Sequence, residues 1–485
     1  MDHPDSSMIN ILLIGGCGHW SSKENHVPAI LDMKRAGWPV RVSAICDYRD
    51  PYSEDVLRHM PALRELVNED RPTWIQPRAD EGSEMLAARL DSTPGMSDIT
   101  AAVIACDPVH HYAYLKWATE RGVHVLCDKP LICAQDAAWN MDSALQIENQ
   151  FREILTLHRK RQELGPHFIA LPLRRRANDV FVQAAQSISE VHDQYKQSLT
   201  LGSFLVNGGF FRFPEEYALG NAHGYGYGVG SLSFSSYHYI DLIAWYLQIA
   251  RGDIARLKIS NPYVRRVGDY LETQQNSALG GLLADRSEVP PRPDEIPAHA
   301  ARSEMDVSFT IQLLDMYERD LGMLSYTFLA NSYSHRTVGL LESDREREVG
   351  FREKGRMSQF VIDVNQGNLQ HIRITKNDAV GDKYRIRLER RRNPSMNMGE
   401  LQDEVFENAH ANSSVTPQAV TQAFIRHAAG RSGTDEALRR ISFIEDQVLT
   451  HTMFEKFYQL VAANWERRYS GSDTSPEPST FVELS

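Results

Sequence analysis

The chain has 485 residues, 42% hydrophobic and 24% charged, with 52 Lys plus Arg against 64 Asp plus Glu and a formal net charge of -12. That balance argues against general nucleic-acid binding through phosphate neutralisation, and at roughly 100 to 200 residues per domain the length implies two domains. No run approaches the ~20 apolar residues that span a bilayer, and the acidic start "MDHPDSSMINILLIGG" reads as a first strand and not a signal peptide, so a cytoplasmic location off the membrane is expected.

From residue 8 to 150 short β-branched runs alternate with helical patterns. Strands are predicted at Ile9–Ile14, Val40–Cys46, Ile99–Ala105 and Val123–Cys127, and helices at Val27–Ala36, Ser53–Val67 and Tyr112–Arg121, with Gly37 and Gly122 where helix C-caps belong. Continuous apolar strands separated by helices predict a doubly wound parallel α/β domain. Strand one runs into "GGCGHWSSKENHVPAI", where Gly16 and Gly18 fill the first two positions of G-x-G-x-x-G and Ser21 the third. A glycine turn between strand and helix lets backbone approach a pyrophosphate, and the helix N-terminus favours the anion. The loop reads as two residues longer than usual, with helix one starting near His26.

Strand two ends "AICDYRD". A carboxylate there, at Asp47, accepts hydrogen bonds from an adenosine ribose and repels a 2′-phosphate, which favours NAD; Arg49 keeps NADP open, and the plain alternative is a turn-starting Asp. All five cysteines (Cys17, Cys46, Cys106, Cys127, Cys133) fall in the first third, without a CxxC pair, so neither structural disulfides nor a metal site is expected.

The next strands and loops read "AAVIACDPVHHYAYLKWATERGVHVLCDKPL". Here the sequence resembles the glucose–fructose oxidoreductase, inositol dehydrogenase and MocA (Gfo/Idh/MocA) family, whose members typically carry Thr-Pro, then a His before the next helix, then Gly-x-x-Val-x-x-Glu-Lys-Pro. Cys106 and Asp107 stand where Thr-Pro is usual, His111 matches the His, Gly122 the Gly, and Asp128, Lys129 and Pro130 the Glu-Lys-Pro. The resemblance adds His19, Cys106, Asp107, His111, Asp128 and Lys129 to Gly16, Gly18 and Asp47 as cofactor-site residues, and implies a cis peptide before Pro130. Lys129 also stands out on its own terms: it follows a buried parallel strand at its carboxyl end, where open α/β sheets bind ligands.

After a predicted helix at Ala134–Ile154 the pattern changes. Alternating runs at Gln197–Phe210, Arg256–Ser260, Met305–Leu314, Gly322–Tyr333, Met357–Thr375 and Lys383–Leu388 predict a mostly antiparallel sheet, with helices at Asp179–Tyr195, Leu232–Ile249 and Glu436–Trp465. The expected division is a Rossmann domain over 8–150 and a substrate-binding α/β domain over 151–469, with polar insertions near 282–304 and 389–415 and a disordered tail over 470–485. By resemblance, the open sheet of the second domain makes a homo-oligomer.

Residues 228–242, "GVGSLSFSSYHYIDL", place His238 and Asp241 three apart on one helix, where side chains converge. The family commonly reads Gly-Gly-x-x-x-Asp-x-x-x-His-x-x-Asp here, so His238 and Asp241 match its later polar positions while Phe234 replaces its first Asp. His223, Tyr225, Phe234 and Arg174 are the expected substrate contacts. The resemblance implies hydride transfer between a nicotinamide and a hydroxyl-bearing carbon of a sugar or cyclitol. By the same resemblance Lys129, His238 and Asp241 are the expected catalytic set, with the proton-transfer and electrostatic roles of Lys129 and His238 interchangeable. An NAD-dependent glycosidase of the same fold and a non-catalytic dinucleotide sensor are the alternatives, the second favoured by Phe234.

Overall fold

The strand Ile9–Ile14 (β1) lies inside a seven-stranded sheet with Val40–Cys46 (β2), Thr73–Ile75 (β3), Ala101–Ile104 (β4), His124–Cys127 (β5), Ile169–Leu171 (β6) and the short strand Ser442–Phe443. In this computed structural model the described residues are 8–18, 20–78, 81–208, 224–275, 293–330, 359–377, 386–396, 404–408, 416–430, 436–469 and 479–484. The order is Ser442–Phe443, β6, β5, β4, β1, β2, β3; all pairings among β1–β6 are parallel, and Ser442–Phe443 joins β6 antiparallel. Ile11, Leu12, Leu13 and all of β4 are fully buried, as strands covered on both faces must be. Strand order reverses between β1 and β4, so a crevice opens beyond their carboxyl ends, where doubly wound sheets take ligands.

Contacts divide the chain into two units: residues 1–133, 147–177 and 412–448, and residues 134–146, 178–411 and 449–485. This differs from the expected boundary at 150, because β6 completes the first sheet and a late segment returns to it. The returning helix Pro417–Ala428 places Val420, Ala423, Phe424 and Ile425 in the same core as Val27, Ile30, Met33, Ile11 and Leu13. A polar chain that runs from the exposed Glu445 into two buried histidines ties it down further along. Glu445 Oε1 accepts from His158 Nε2 at 2.7 Å, His158 and His167 meet through their Nδ1 atoms at 2.8 Å, and His167 Nε2 donates to Val123 O at 2.9 Å.

Local chemistry explains the shifted helices. The helix predicted over Ser53–Val67 is two, Glu54–His59 and Pro61–Asp70, because Pro61 has no N–H and forces Met60 to φ -132°. The helix predicted from Ala134 begins at Met141 and runs to Gln162, since Asp136 adopts a left-handed φ of 66°.

The second unit is built on Leu201–Asn207 (β7), Arg256–Arg266 (β8), Glu304–Leu314 (β9), Asp320–Leu329 (β10), Gln359–Gln366 (β11), Gln370–Asn377 (β12), Ile386–Arg392 (β13) and Glu404–Asn408 (β14). The sheet runs β14-β13-β12-β11-β7-β10-β9-β8, with Thr480–Glu483 pairing antiparallel on β8. It is antiparallel except for β7 with β10. The expected tail at 470–485 thus contains an edge strand, and the supposed insertion at 389–415 contributes β14 and the end of β13; neighbouring ladder hydrogen bonds supply order that polar composition does not announce. Helices Asp179–Tyr195, Tyr237–Ile249 and Val448–Tyr469 pack on one face through Phe181 against Phe360, Tyr239 against Phe328 and Phe457 against Phe309. On the alternate positions Leu201, Leu205 and Met323 stay exposed. No helix of the described residues is long and apolar enough to cross a membrane, and no group of three or more His, Cys, Asp or Glu among them could hold a metal ion.

Candidate functional site

Beyond β1 the chain turns at Gly15, whose φ is +73° and whose N–H donates to Cys46 O at 2.9 Å. A Cβ on Gly15 would stand 2.6 Å from Cys106 N and 2.7 Å from Ala105 O, so only glycine lets the exits of β1 and β4 close on one another. Gly15 stands one residue before the Gly16 and Gly18 pair, in the same run "GGCG". Cβ atoms at Gly16 and Gly18 would meet side chains instead, Leu13 Cδ2 at 2.8 Å and Arg49 Nη1 at 2.9 Å. Helix one then starts at Trp20, not near His26; Ser22–His26 form a π-helical turn before Val27–Arg35, and the wider turn absorbs the residues that read as a longer loop. Ser22 Oγ donates to Gly15 O at 2.9 Å. His19, expected at the cofactor, lies outside the described residues.

Asp47 serves this loop directly. Its Oδ2 accepts from Cys17 N and its Oδ1 from Arg49 N, both at 2.8 Å. The turn-making role and the ribose role are compatible, because each carboxylate oxygen carries a second lone pair. The glycine turn, the helix start and Asp47 therefore fit a dinucleotide: backbone N–H groups and a helix N-terminus for pyrophosphate, a carboxylate for ribose hydroxyls.

At the exits of β4 and β5, Cys106, Asp107 and Lys129 are half-buried. His111 is fully buried between them, its Nδ1 2.9 Å from Pro130 O and its Nε2 3.0 Å from Cys106 O. Burial pushes the imidazole below its ordinary pKa, against the pull of the two carbonyls. His111, expected as a cofactor contact, stands between two strand exits, and as a neutral imidazole it donates its single N–H to one of the two carbonyls. The Lys129–Pro130 peptide is cis, as the resemblance implied. Asp128 accepts a short hydrogen bond from Ser21 Oγ and faces His26 Nε2 at 3.4 Å. Burial raises its pKa, but the hydrogen bonds from His26 and Ser21 and the charge of His26 outweigh burial and hold the carboxyl well below the usual range. Arg174, expected in the second domain, belongs to the first unit, where its guanidinium stacks 4.1 Å over the Trp20 ring.

In the second unit the helix predicted from Leu232 begins at Tyr237, which puts His238, half-buried, in its first turn. Asp241 is fully buried, and its Oδ1 accepts from Thr450 Oγ1 at 3.1 Å on the C-terminal helix. Tyr225 is 4% exposed, with its carbonyl accepting from Ser303 Oγ at 3.0 Å. Phe234 lies over the turn at Gly224, whose Cβ would be 2.5 Å from the ring. His223 lies outside the described residues.

Glu304, which the sequence placed at the rim of an insertion, is the polar residue that holds this loop. It is fully buried, and its Oε1 accepts from Gly230 N at 2.9 Å, Leu232 N at 3.0 Å and Tyr458 OH at 3.0 Å. Burial pushes its carboxyl up to about 7, against those three donors. No periodicity marks such a residue; only the folded loop shows it.

A phosphate-ready glycine turn at the switch point of a parallel sheet defines a nucleotide-binding α/β protein. Residues 9–151 match the family model described as "Oxidoreductase family, NAD-binding Rossmann fold" (GFO_IDH_MocA). The first unit is thus an NAD-binding Rossmann domain of the kind that this oxidoreductase family model describes, and the match covers that domain alone. No curated protein matches the sequence. Among solved structures the fold is shared with the WlbA dehydrogenase from Bordetella pertussis in complex with NADH and UDP-GlcNAcA (13% identity, 99% of each chain, TM-score 0.52). It is shared too with a levoglucosan dehydrogenase in complex with NADH and levoglucosan (12% identity, 99% of this chain and 100% of that one, TM-score 0.51). A super-repressor mutant of Gal80p from Saccharomyces cerevisiae aligns equally well (13% identity, 98% of each chain, TM-score 0.52).

Proposed function

We propose that the protein is an NAD(P)-dependent oxidoreductase acting on a hydroxyl-bearing carbon of a sugar, cyclitol or related metabolite. The observation that carries this reading is Lys129: a half-buried lysine on a cis Lys-Pro turn at the exit of β5, braced through Pro130 by His111 and through Asp128 by helix one. Bound NAD supplies the hydride acceptor or donor. Lys129 stabilises the developing alkoxide, His238 takes or returns the hydroxyl proton, and these two roles can exchange. Asp241, tied to Thr450, fixes the helix that carries His238. Asp47 favours NAD over NADP, since a carboxylate there repels a 2′-phosphate. The ligands in the WlbA and levoglucosan dehydrogenase structures support a sugar-like substrate. We further propose a homo-oligomer through the open face bearing Leu201, Leu205 and Met323, which light scattering tests.

A regulator is the second reading, favoured by Phe234 where the family places a carboxylate. The test offers purified protein NAD and a panel of sugars, cyclitols and sugar nucleotides while nicotinamide absorbance is followed. Turnover abolished by Lys129→Ala and by His238→Ala supports the enzyme; cofactor binding with no turnover on any of the panel favours the regulator.

A further inference from the structure

We propose that His26 and Thr421 are positioning residues for Lys129, so that the segment returning to the first unit late in the chain takes part in setting the active lysine. This rests on the assignment of Lys129 to the reacting centre. His26 ends the π-helical turn and is 1% exposed. Its Nε2 faces Asp128 Oδ1 at 3.4 Å and its Nδ1 faces Thr421 Oγ1 at 3.0 Å, while Ser21 Oγ donates to the other carboxylate oxygen of Asp128. Residues five apart on an α-helix point about 140° from one another. The π turn brings Ser21 and His26 onto one carboxylate, which gives the wider turn a purpose.

Thr421 is fully buried and has one hydroxyl proton for two acceptors, His26 Nδ1 and Pro417 O at 3.2 Å. When the proton points to His26, the ring is neutral and donates from Nε2 to Asp128. When it points to Pro417, Nδ1 donates to Thr421 and the ring is an imidazolium that still donates to Asp128. Thr421 thus lets His26 hold Asp128 in either protonation state. Asp128 immediately precedes Lys129, and His111 holds the Pro130 carbonyl on the other side, so the Asp128-Lys129-Pro130 turn is clamped at both ends.

The test uses the full-length protein and three variants: Thr421→Val, which keeps the shape and removes the hydroxyl, Thr421→Ser, which keeps the hydroxyl, and His26→Gln. Acetic anhydride labelling of Lys129 is followed by mass spectrometry, with the exposed Lys160 as internal standard. Thr421→Val and His26→Gln should label Lys129 about fivefold faster than the parent, the population change that loss of one buried hydrogen bond brings. Thr421→Ser should label at the parental rate. Parental labelling in Thr421→Val, or equal acceleration in Thr421→Val and Thr421→Ser, overturns the proposal. The readout needs no substrate, so a chain that shows this labelling pattern but no turnover upholds the clamp and counts against the oxidoreductase reading alone.

Discussion

Replacing Gly15 by alanine tests how the cofactor crevice is built. Two penalties add at this position. A residue with a Cβ at φ +73° is strained by about 1–2 kcal/mol. The new methyl would also lie 2.6 Å from Cys106 N, so the backbone at the exit of β4 must move, and overpacking of this kind costs about 1–3 kcal/mol more. Gly37 provides the control, because its φ is +81° and a Cβ there meets nothing within 4 Å; Gly37→Ala carries the strain without the clash. Urea unfolding should therefore place Gly15→Ala below Gly37→Ala by the overpacking term. The displaced β4 exit should weaken NAD binding by about tenfold or more, a factor that corresponds to about 1.4 kcal/mol, while Gly37→Ala binds normally. Equal stability and equal NAD affinity in the two variants would refute the close approach of β1 and β4 as the reason for Gly15.

Glu304 should make the protein less stable as pH rises. Its folded pKa of about 7 exceeds the ordinary 4.5, so between these values the native state binds more protons than the unfolded one; stability falls as pH rises through this window, by roughly 3 kcal/mol in all. Glu304→Gln should remove that slope, which thermal melts at pH 5 and pH 8 check. His167 acts in the opposite sense: burial, then the charge of His158, lowers it from 6.5 to about 4, so the unfolded state binds more protons in that window and stability falls as pH drops through it. His167→Gln should flatten the acid side of the stability profile, and an unchanged acid limb would contradict the assignment. Phe234→Asp should lower the melting temperature, since it strips a half-buried ring from the turn at Gly224 and puts a charge in its place, a loss of about 1–2 kcal/mol; a variant as stable as the parent would show that the ring packs nothing there.

Much of the first domain was legible because its signals are local. β1 and β2 have the bounds that their apolar runs predict, and in the second unit the helix Asp179–Tyr195 is legible for the same reason, starting where Asn178 caps it through Val180 N. The motif around Asp128, Lys129 and Pro130 was legible for the same reason. What escaped depends on partners distant in sequence. The helix Pro417–Ala428 shows an apolar face in the sequence, but nothing in that face says that its neighbours are Val27 and Ile30. Thr480–Glu483 is a strand because β8 offers an edge, and Glu304 is buried because Gly230, Leu232 and Tyr458 converge on it. His26 read as the start of a helix and proved to be the end of a π turn, where one residue of register decides which carboxylate it meets.

The central claim is that Lys129 and His238 serve one reaction on a nicotinamide cofactor. A double-mutant cycle on the first substrate found to change nicotinamide absorbance tests it most directly, with the parent, Lys129→Ala, His238→Ala and the double variant compared for kcat/KM. Residues that act as a unit are strongly non-additive, so the double variant should lose little more than the worse single variant. Losses that multiply would show two independent roles, and single variants with full activity would contradict the account.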